Sequence, residues 1–324
     1  MYDVKIHLPN SAFLGNIDPF FKGFDPLNPS QLIITSNNKW VSVHPMVIAM
    51  VAALGKGIKP GQITFKAFEA RSKHYFERIG LFKFLGVDSG LSIEKHDSSG
   101  RFIPLTKIKN STQLEKFLTE MIPLLHLTDP KQVEPIRYIV SELVRNVIEH
   151  SLAEEGAIVC AQYYKKSNTI RIGIVDGGVG IKRTINKSHR AEDDLEAIRL
   201  ALTPGITGTT RREGGTEQNA GAGLFFIKSI AHVNRDFFVV YSGNAMFKLL
   251  KRSVEEEIFL QANPLKDRHS KETDLPYWSG TVVGIDIALD STEDFLTLLD
   301  LIRETYSTSV RERRRENYRK PKFT

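Results

Sequence analysis

Short apolar segments alternate with amphipathic segments along this chain, and no repeat of fixed period occurs. The apolar segments favour strands, and the amphipathic segments favour helices. In the N-terminal third, the pattern predicts strands at residues 4–8, 31–35 and 63–68. It also predicts an apolar helix at 45–54 and a helical segment at 72–85 that Gly80 interrupts. We therefore expect a small α/β unit in this part of the chain.

A second unit is expected after the polar turn at residues 97–100. Strands are predicted at residues 102–108, 157–164, 169–175 and 281–289 and in a hairpin that turns at 242–244, and helices at 113–125, 133–151, 193–202 and 222–233. This order predicts an α/β (α+β) fold class. We expect three parts: a small α/β domain at residues 1–98, a larger domain at 99–290, and a C-terminal helix with a basic tail at 291–324.

Composition agrees with a folded protein, since 41% of the 324 residues are hydrophobic and 25% are charged. The formal net charge of +6 is concentrated at the C-terminus: residues 311–324 hold seven basic and two acidic residues, and the other 310 residues carry about +1. The body shows no sign of a nucleic-acid groove. The basic tail is either a frayed, solvated end or an element that binds nucleic acid or an acidic partner.

Cysteine usage and hydropathy indicate where the protein works. The single cysteine, Cys160, excludes internal disulfides and thiolate metal clusters, and it fits a reducing compartment. The N-terminal residues lack the regions of a signal peptide, and the longest uncharged apolar run, residues 46–54, is too short to cross a bilayer. We expect a cytoplasmic protein without a membrane segment.

The first chemical motif is VSELVRNVIEHS, on the helix predicted at residues 133–151. At about 100° per residue, the apolar face comprises Ile136, Val140, Leu143 and Val147. Glu142 and Asn146 share one side at the margin of that face, and His150 turns into it. A carboxylate and a carboxamide therefore look into whatever cleft adjoins the core. Solvated polar residues on an amphipathic helix would show the same spacing, and His150 is expected to pack rather than bind a ligand.

The second motif is IRIGIVDGGVGI, an apolar strand that ends in Asp176 and is followed by glycines at 177, 178 and 180. Glycines let a ligand approach the backbone closely, and the carboxylate can accept a hydrogen bond from an exocyclic amine. A tight turn capped by the aspartate is the alternative interpretation.

The third motif is EGGTEQNAGAGLFFIKSI, in which glycines at 214, 215, 221 and 223 precede a predicted helix. Free amides at a glycine-led helix N-terminus bind anions, phosphates above all. A surface loop is the alternative. The spacing fits neither a P-loop nor a dinucleotide fingerprint.

These three motifs in this order, with Gly280 and Thr281 opening the last strand, resemble the GHKL ATPase superfamily of gyrase, heat-shock chaperone, histidine kinase and MutL ATP-binding domains. The resemblance covers residues 101–290 and implies a two-layer α/β sandwich of the histidine-kinase-like type. It is closest to the anti-sigma-factor serine kinases, in the helix motif and in the loop that runs directly into GAGLFFI. Histidine kinases usually carry another glycine where this chain has Phe225, and no HExxxP-type phosphoacceptor helix occurs.

The resemblance implies ATP and Mg²⁺ as ligands and assigns the motif residues their roles. Glu142 would polarise the attacking water or hydroxyl, and Asn146 would hold Mg²⁺. Asp176 would accept a hydrogen bond from the adenine amino group, with Thr281 nearby. The base and sugar would be lined by Gly178 and Gly180, and the phosphates would be cradled by the amides around Gly221, Ala222, Gly223 and Leu224.

Two further expectations concern the flanking segments. An ATP lid is expected at about residues 182–220, where arginines at 190, 199, 211 and 212 are either γ-phosphate contacts or solvated charges. The N-terminal unit resembles, more weakly, the STAS-like domains that anti-sigma kinases phosphorylate. Its phosphoacceptor would be Ser72, whose hydroxyl could instead cap a helix.

Two functions compete at this point. The chain is expected to be a signalling protein that phosphorylates a regulatory protein partner, itself STAS-like, on serine or threonine. Alternatively, it is an ATP-gated switch or slow ATPase that controls homodimerisation or partner binding without transferring phosphate to protein. A sensor that has lost catalysis is disfavoured because Glu142 is present. Residues 251–279 have no assignment from sequence.

Overall fold

The computed structural model describes residues 3–23, 25–26, 30–66, 70–91, 102–124, 130–208, 223–253, 255–289 and 295–319. The strands are β1 (Asp3–Leu8), β2 (Ser11–Ala12), β3 (Gln31–Ser36), β4 (Ser42–Val43), β5 (Ile63–Lys66), β6 (Phe102–Ile108), β7 (Ala157–Tyr164), β8 (Thr169–Val175), β9 (Phe238–Gly243), β10 (Ala245–Leu249), β11 (His269–Glu272) and β12 (Trp278–Ala288). The α-helices are α1 (Asp18–Lys22), α2 (Pro45–Gly55), α3 (Ala70–Arg78), α4 (Leu81–Leu85), α5 (Ser111–Leu124), α6 (Pro130–His150), α7 (Gly180–Ile185), α8 (Asp194–Ala201), α9 (Gly223–Val233) and α10 (Phe295–Arg319).

The largest element is a seven-stranded sheet in the order β11-β10-β9-β12-β8-β7-β6. Its neighbouring strands are antiparallel throughout. The helices α5 to α10 pack on one face and share a single hydrophobic core with it. This arrangement confirms the predicted α/β fold class with a two-layer sandwich.

The other face of the sheet is covered by the N-terminal unit, a parallel three-stranded sheet in the order β1-β3-β5 with its helices. Helix α2 is apolar on all sides, and nine of its eleven residues are buried. Such a helix needs protein around it. It packs on β7, β8 and β12 of the large sheet, and at Gly55 it approaches Leu32 and Ile63 of the small sheet. The domain boundary at residue 98 stays a prediction.

Strands β7, β8 and β12 read as nearly continuous apolar runs because both faces of the sheet are buried. Along β8, Ile170, Ile172 and Ile174 face helices α5 to α10, whereas Val175 belongs to the core shared with the N-terminal unit. Sequence alone detected these strands, but it did not indicate that a second layer would cover the sheet.

Two glycines allow α2 to lie directly on the large sheet. Gly173 of β8 and Gly284 of β12 are cross-strand partners. A Cβ atom added at Gly173 would lie 2.2 Å from the Cα of Met46, and one added at Gly284 would lie 2.6 Å from the Met46 sulfur. The first turn of α2 therefore needs the side chain to be absent at Gly173, where the clash is with backbone, whereas at Gly284 it packs tightly through flexible side chains.

Replacing Gly173 with Ala is expected to destabilise the protein by about 2–4 kcal/mol, because the clash is with backbone that cannot rotate away. Thermal unfolding measures the effect. The control is Gly57→Ala, where an added Cβ meets no atom within 4 Å and which should leave the melting temperature unchanged. Equal stability of the two variants would show that α2 does not rest on the sheet at this point.

A polar cluster also joins the N-terminal unit to the sheet. The guanidinium of Arg171 lies between the rings of Phe13 and Tyr164, 4.2 and 4.1 Å from their centroids. Asp286 approaches Arg171 Nε at 3.4 Å and His44 Nε2 at 3.2 Å. Burial lowers the pKa of His44, and its Nδ1 accepts a hydrogen bond from the Met46 amide at the start of α2.

The segment without an assignment from sequence folds against α9. Lys228 of α9 is fully buried, donates to the Gln261 carbonyl at 3.0 Å and forms an ion pair with Asp267. Arg252 donates to the His232 carbonyl at 3.1 Å. Strand β11 then pairs with β10 at the sheet edge. The segment is therefore an integral part of the larger fold.

Two interpretations of flanking residues are wrong. Ser72 is the third residue of α3 rather than its N-cap; it is buried, and its hydroxyl accepts a hydrogen bond from the Val41 amide at 3.1 Å. The basic tail is not a frayed end up to residue 319, because it continues α10. Val310, just before the tail, is buried, and Arg313 within the tail donates to the Pro204 carbonyl. Residues 320–324 lie outside the described residues.

The described part of the chain contains no helix with both the length and the apolar character needed to span a bilayer.

Candidate functional site

A cavity of about 320 Å³ opens between α6, α7 and the start of α9, beneath the ends of β8 and β12. Its volume is at the lower end of the range usual for small-molecule sites. The walls combine aliphatic side chains with a few polar groups. They comprise Tyr138, Glu142, Leu143, Arg145, Asn146, Val147, Glu149, His150, Ser151, Ile174, Asp176, Gly180, Ile181, Thr184, Ile185, Ala201, Ile206, Thr207, Gly208, Gly223, Leu224, Thr281 and Val283.

Seven of the ten residues singled out from sequence meet at this cavity, namely Glu142, Asn146, Asp176, Gly180, Gly223, Leu224 and Thr281. Gly178 does not appear among the described lining residues. Gly221 and Ala222 lie outside the described residues, as do Arg211, Arg212 and the glycines at 214 and 215. The individual roles of the seven stay predictions, but the motifs do converge.

Helix α6 brings Glu142 and Asn146 to the cavity because of its amphipathic period. Ile136, Val140 and Leu143 are buried in the helix–sheet core, as the sequence pattern predicted. Glu142 and Asn146 are one turn apart at the edge of that buried stripe. Both therefore open into the cavity while the helix remains anchored by its apolar face.

At the opposite end of the cavity, Asp176 directly follows β8 and is only 2% exposed. Its Oδ1 accepts a hydrogen bond from the Gly178 amide at 2.8 Å, and its own amide donates to the Thr281 carbonyl at 2.9 Å. Burial raises the pKa of Asp176 to about 6, although hydrogen bonds from Gly178 and Thr281 oppose the rise. A buried carboxylate is thus available to accept one more hydrogen bond from a ligand.

The loop after Asp176 is held by residues from the beginning of β12. Trp278 Nε1 donates to the Asp176 carbonyl at 3.1 Å, and Ser279 Oγ donates to the Gly178 carbonyl at 3.0 Å. A Cβ at Gly178 would lie 2.1 Å from the Ser151 carbonyl oxygen. The absence of a side chain at Gly178 therefore permits close packing against Ser151, the residue that follows α6. The sequence predicted that Gly178 lines the base and sugar, but it is not among the described residues that line the cavity.

Gly180 lines the cavity and adopts a positive φ of 77°. It is the first residue of α7. The Ser242 hydroxyl holds the start of this helix, because it accepts a hydrogen bond from the Ile181 amide at 3.0 Å and donates one to the Gly280 carbonyl at 2.7 Å. The sequence did not indicate α7, because six residues within a glycine-rich stretch show too little periodicity. Its residue Thr184 lines the cavity and was missed for the same reason.

Glu142 lies where the cavity meets the start of α9. A Cβ at Gly223 would lie 2.8 Å from Glu142 Oε2 and 3.5 Å from Asn146 Nδ2, so the two helices approach closely. Burial raises the pKa of Glu142, Arg145 lowers it and Glu149 raises it further. A carboxylate with a raised pKa accepts a proton more readily than an exposed glutamate does.

Helix α9 directs its N-terminal end toward the two polar residues of α6. Gly223 and Leu224 form its first turn and line the cavity. Free amides and the partial positive charge at a helix N-terminus favour anions. An anionic ligand group between this turn, Glu142 and Asn146 would therefore be stabilised by backbone groups.

The other candidates are placed elsewhere. Arg199 does not line the cavity and makes two hydrogen bonds with Glu196, at 2.7 and 2.6 Å. Arg190 belongs to a shallow surface depression. His150 does line the cavity, with its Nε2 3.8 Å from a Glu149 carboxylate oxygen. Neither described arginine is positioned as a phosphate contact.

Within the described residues, no cluster of three or more His, Cys, Asp or Glu side chains could hold a metal ion. The cavity does provide the carboxamide oxygen of Asn146. Mg²⁺ is commonly bound through one or two protein oxygens together with substrate phosphates and water. The residues present therefore fit Mg²⁺ that arrives with a phosphorylated ligand.

Comparison with curated proteins finds no match. A family comparison does find one, and it covers the segment from the end of β6 to the residues after α9. Glu142, Asn146, Asp176, Gly223 and Leu224 fall within the matched segment, whereas Thr281 follows it. Residues 107–235 match the family described as histidine kinase-like ATPase domain, which supports the GHKL resemblance for this part of the chain and implies that it binds ATP.

Proposed function

We propose that this chain is a Mg²⁺-dependent ATP-binding signalling protein that transfers the γ-phosphate of ATP to a serine or threonine of a regulatory partner, as anti-sigma kinases do. One observation carries the proposal. The carboxylate of Glu142, the carboxamide of Asn146 and the first turn of α9 meet at one end of a cavity whose other end holds the buried Asp176.

The cavity has an order that suits ATP. Asp176 would accept a hydrogen bond from the adenine amino group, with Ile174 and Val283 beside the adenine ring. The phosphates would extend toward the amides of Gly223 and Leu224. Asn146 would hold Mg²⁺, which when bound neutralises phosphate charge and orients the γ-phosphate.

Glu142 would act as the base for phosphoryl transfer. The oxygen of a partner hydroxyl forms a bond to the γ-phosphorus, and its proton passes to the Glu142 carboxylate. The bond between that phosphorus and the bridging oxygen breaks, and its electrons stay on the β-phosphate of the departing ADP. The raised pKa of Glu142 suits this task, because the group accepts a proton more readily than an exposed glutamate does.

The partner is expected to be a regulatory protein, and a STAS-like domain is the substrate class that the resemblance to anti-sigma kinases favours. We further propose a cytoplasmic location, consistent with the single buried Cys160. Self-association into a homodimer is part of the alternative below.

The second candidate is an ATP-gated switch in which nucleotide binding changes dimerisation or partner binding. It is favoured by the position of α10, whose Tyr306 ring packs against Phe225 and Phe226 in the first turn of α9, 6.5 and 6.2 Å between centroids. A ligand that shifts this turn would act directly on α10.

Incubation with ATP labelled on its γ-phosphate, alone and with the proteins encoded by neighbouring genes, separates the two candidates. Label on a serine or threonine of another protein supports the kinase. Release of labelled phosphate alone supports the switch or slow ATPase. Absence of ATP binding in an equilibrium assay would contradict both.

Nucleotide affinity is expected to fall as pH drops below about 6, where Asp176 becomes protonated, loses its negative charge and becomes a weaker hydrogen-bond acceptor. Because protonation of Asp176 in the free protein competes with nucleotide binding, the pKa of Asp176 in the free protein sets the pH below which affinity falls. Isothermal titration of ADP between pH 5 and 7.5 measures the effect. Asp176→Asn serves as the control and should show a flatter pH dependence; parallel curves would contradict the assignment.

A further inference from the structure

Arg145 is a cation at the cavity that the roles above do not use. Among the lining residues in the described part of the chain, it is the sole lysine or arginine. Its Nη1 lies 3.4 Å from Glu142 Oε1, at a spacing of three residues on α6. Its side chain is 54% exposed, whereas that of Glu142 is 24% exposed. Arg145 therefore lies at the mouth of the cavity, and Glu142 lies further inside.

The two oxygens of the Glu142 carboxylate have different surroundings. Oε1 is the atom nearest Arg145. Oε2 is the atom that approaches Gly223, 2.8 Å from the position that a Cβ would take there. One oxygen is therefore directed to a cation on the same helix, and the other is directed to the anion-binding turn of α9.

We infer that Arg145 is a positioning residue that holds Glu142 Oε1, so that Oε2 faces the γ-phosphate and the attacking hydroxyl. The inference rests on the proposed function, which it deepens. Without the guanidinium, the glutamate side chain would be free to rotate away from α9, because no other described hydrogen bond to its carboxylate holds it there.

The charges around Glu142 agree with this role. Burial and Glu149 both favour its protonated form, and Arg145 opposes them. Gly223 and Leu224, which approach from α9, bring no charge. Tyr138, one turn earlier on α6, is nearby, and Arg303 of α10 acts on that tyrosine. Arg145 is thus the cation that acts on Glu142 itself.

Exposed ion pairs three residues apart contribute little to stability in general, so the expected effect is on turnover and not on folding. Arg145→Gln should lower kcat at least about tenfold and change KM and the ATP dissociation constant by less than about threefold. Arg145→Lys, which keeps the charge on a flexible stem, should recover part of the loss. These quantities are measured by steady-state kinetics and by equilibrium binding of ATP.

The matched control is Arg199→Gln, which removes another ion pair at the same spacing, Arg199–Glu196 at 2.6 Å, from residues that do not line the cavity, and which should leave kcat unchanged. The inference is overturned if Arg145→Gln behaves like this control. It is also overturned if ATP affinity falls while kcat is retained, since Arg145 would then be a binding contact. Failure of the unmodified protein to bind ATP would instead refute the proposed function together with the inference.

Discussion

Replacing Glu142 with Gln is expected to slow ATP turnover by about 10²–10⁴-fold while ATP affinity stays within a few-fold of the original value. The amide keeps the size and the polarity of the side chain, so the contact with the start of α9 persists. What disappears is the ability to accept a proton from the attacking oxygen. Single-turnover kinetics with saturating ATP, together with equilibrium binding, separate the two effects.

Glu134→Gln is the matched control for this experiment, because Glu134 is an exposed glutamate on the same helix and does not line the cavity. It should leave both turnover and binding unchanged. Full activity in Glu142→Gln would refute the assignment of the base. A large loss of ATP affinity in the same variant would place Glu142 among the binding groups instead.

Asp176→Asn is expected to weaken nucleotide binding by about ten- to a hundredfold and, at the same time, to raise the melting temperature of the free protein. The amide presents donors where the adenine amino group needs an acceptor. In the free protein, the amide removes a charge that burial disfavours. A rise of pKa from 3.8 to about 6 corresponds to about 3 kcal/mol of unfavourable free energy in the ionised form.

The sign of the stability effect follows from that pKa shift. Because the folded-state pKa lies above the ordinary value, the folded protein loses stability as pH rises from about 4 through about 6. At pH 7 the variant should therefore melt about 2–6 °C higher than the unmodified protein, and near pH 4 the difference should vanish. Thermal unfolding at both pH values, without nucleotide, measures it.

Asp300→Asn is the control, since the Asp300 side chain is 74% exposed and its neutralisation should change neither quantity. A variant that binds nucleotide normally would show that Asp176 does not contact the base. A variant that melts lower at pH 7 would contradict the stability prediction. It would show that the charged carboxylate gains more from its hydrogen bonds with Gly178 and Thr281 than it loses through burial.

The helix carrying Glu142 and Asn146 could be predicted because a helical period is a local property. Ile136, Val140 and Leu143 mark the buried stripe in sequence, and the two polar residues follow from it by rotation about the helix axis. The end of β8 at Asp176 was visible in the same way, since an apolar run stops at glycines.

Contacts that define the site over long separations could not be predicted. Trp278 and Asp176 are 102 residues apart, and their hydrogen bond exists because β12 inserts between β8 and β9. Arg199 looked like an available cation in sequence, yet its partner Glu196 lies one turn earlier on α8 and engages two of its nitrogens. The close packing at Gly178 depends on Ser151, the residue that follows another helix.

The sequence by itself determined most of the longer helices and strands, the order of the three motifs and the kind of chemistry that they support, because periodicity and residue type act over a few neighbouring positions. Only the tertiary structure decided which motif residues share a cavity and which oxygen of Glu142 faces the start of α9. It also decided that the N-terminal unit covers the second face of the sheet, where Gly173 and Gly284 leave room for α2. The reason is that strand order and layer packing bring together residues whose separation in sequence carries no local signal.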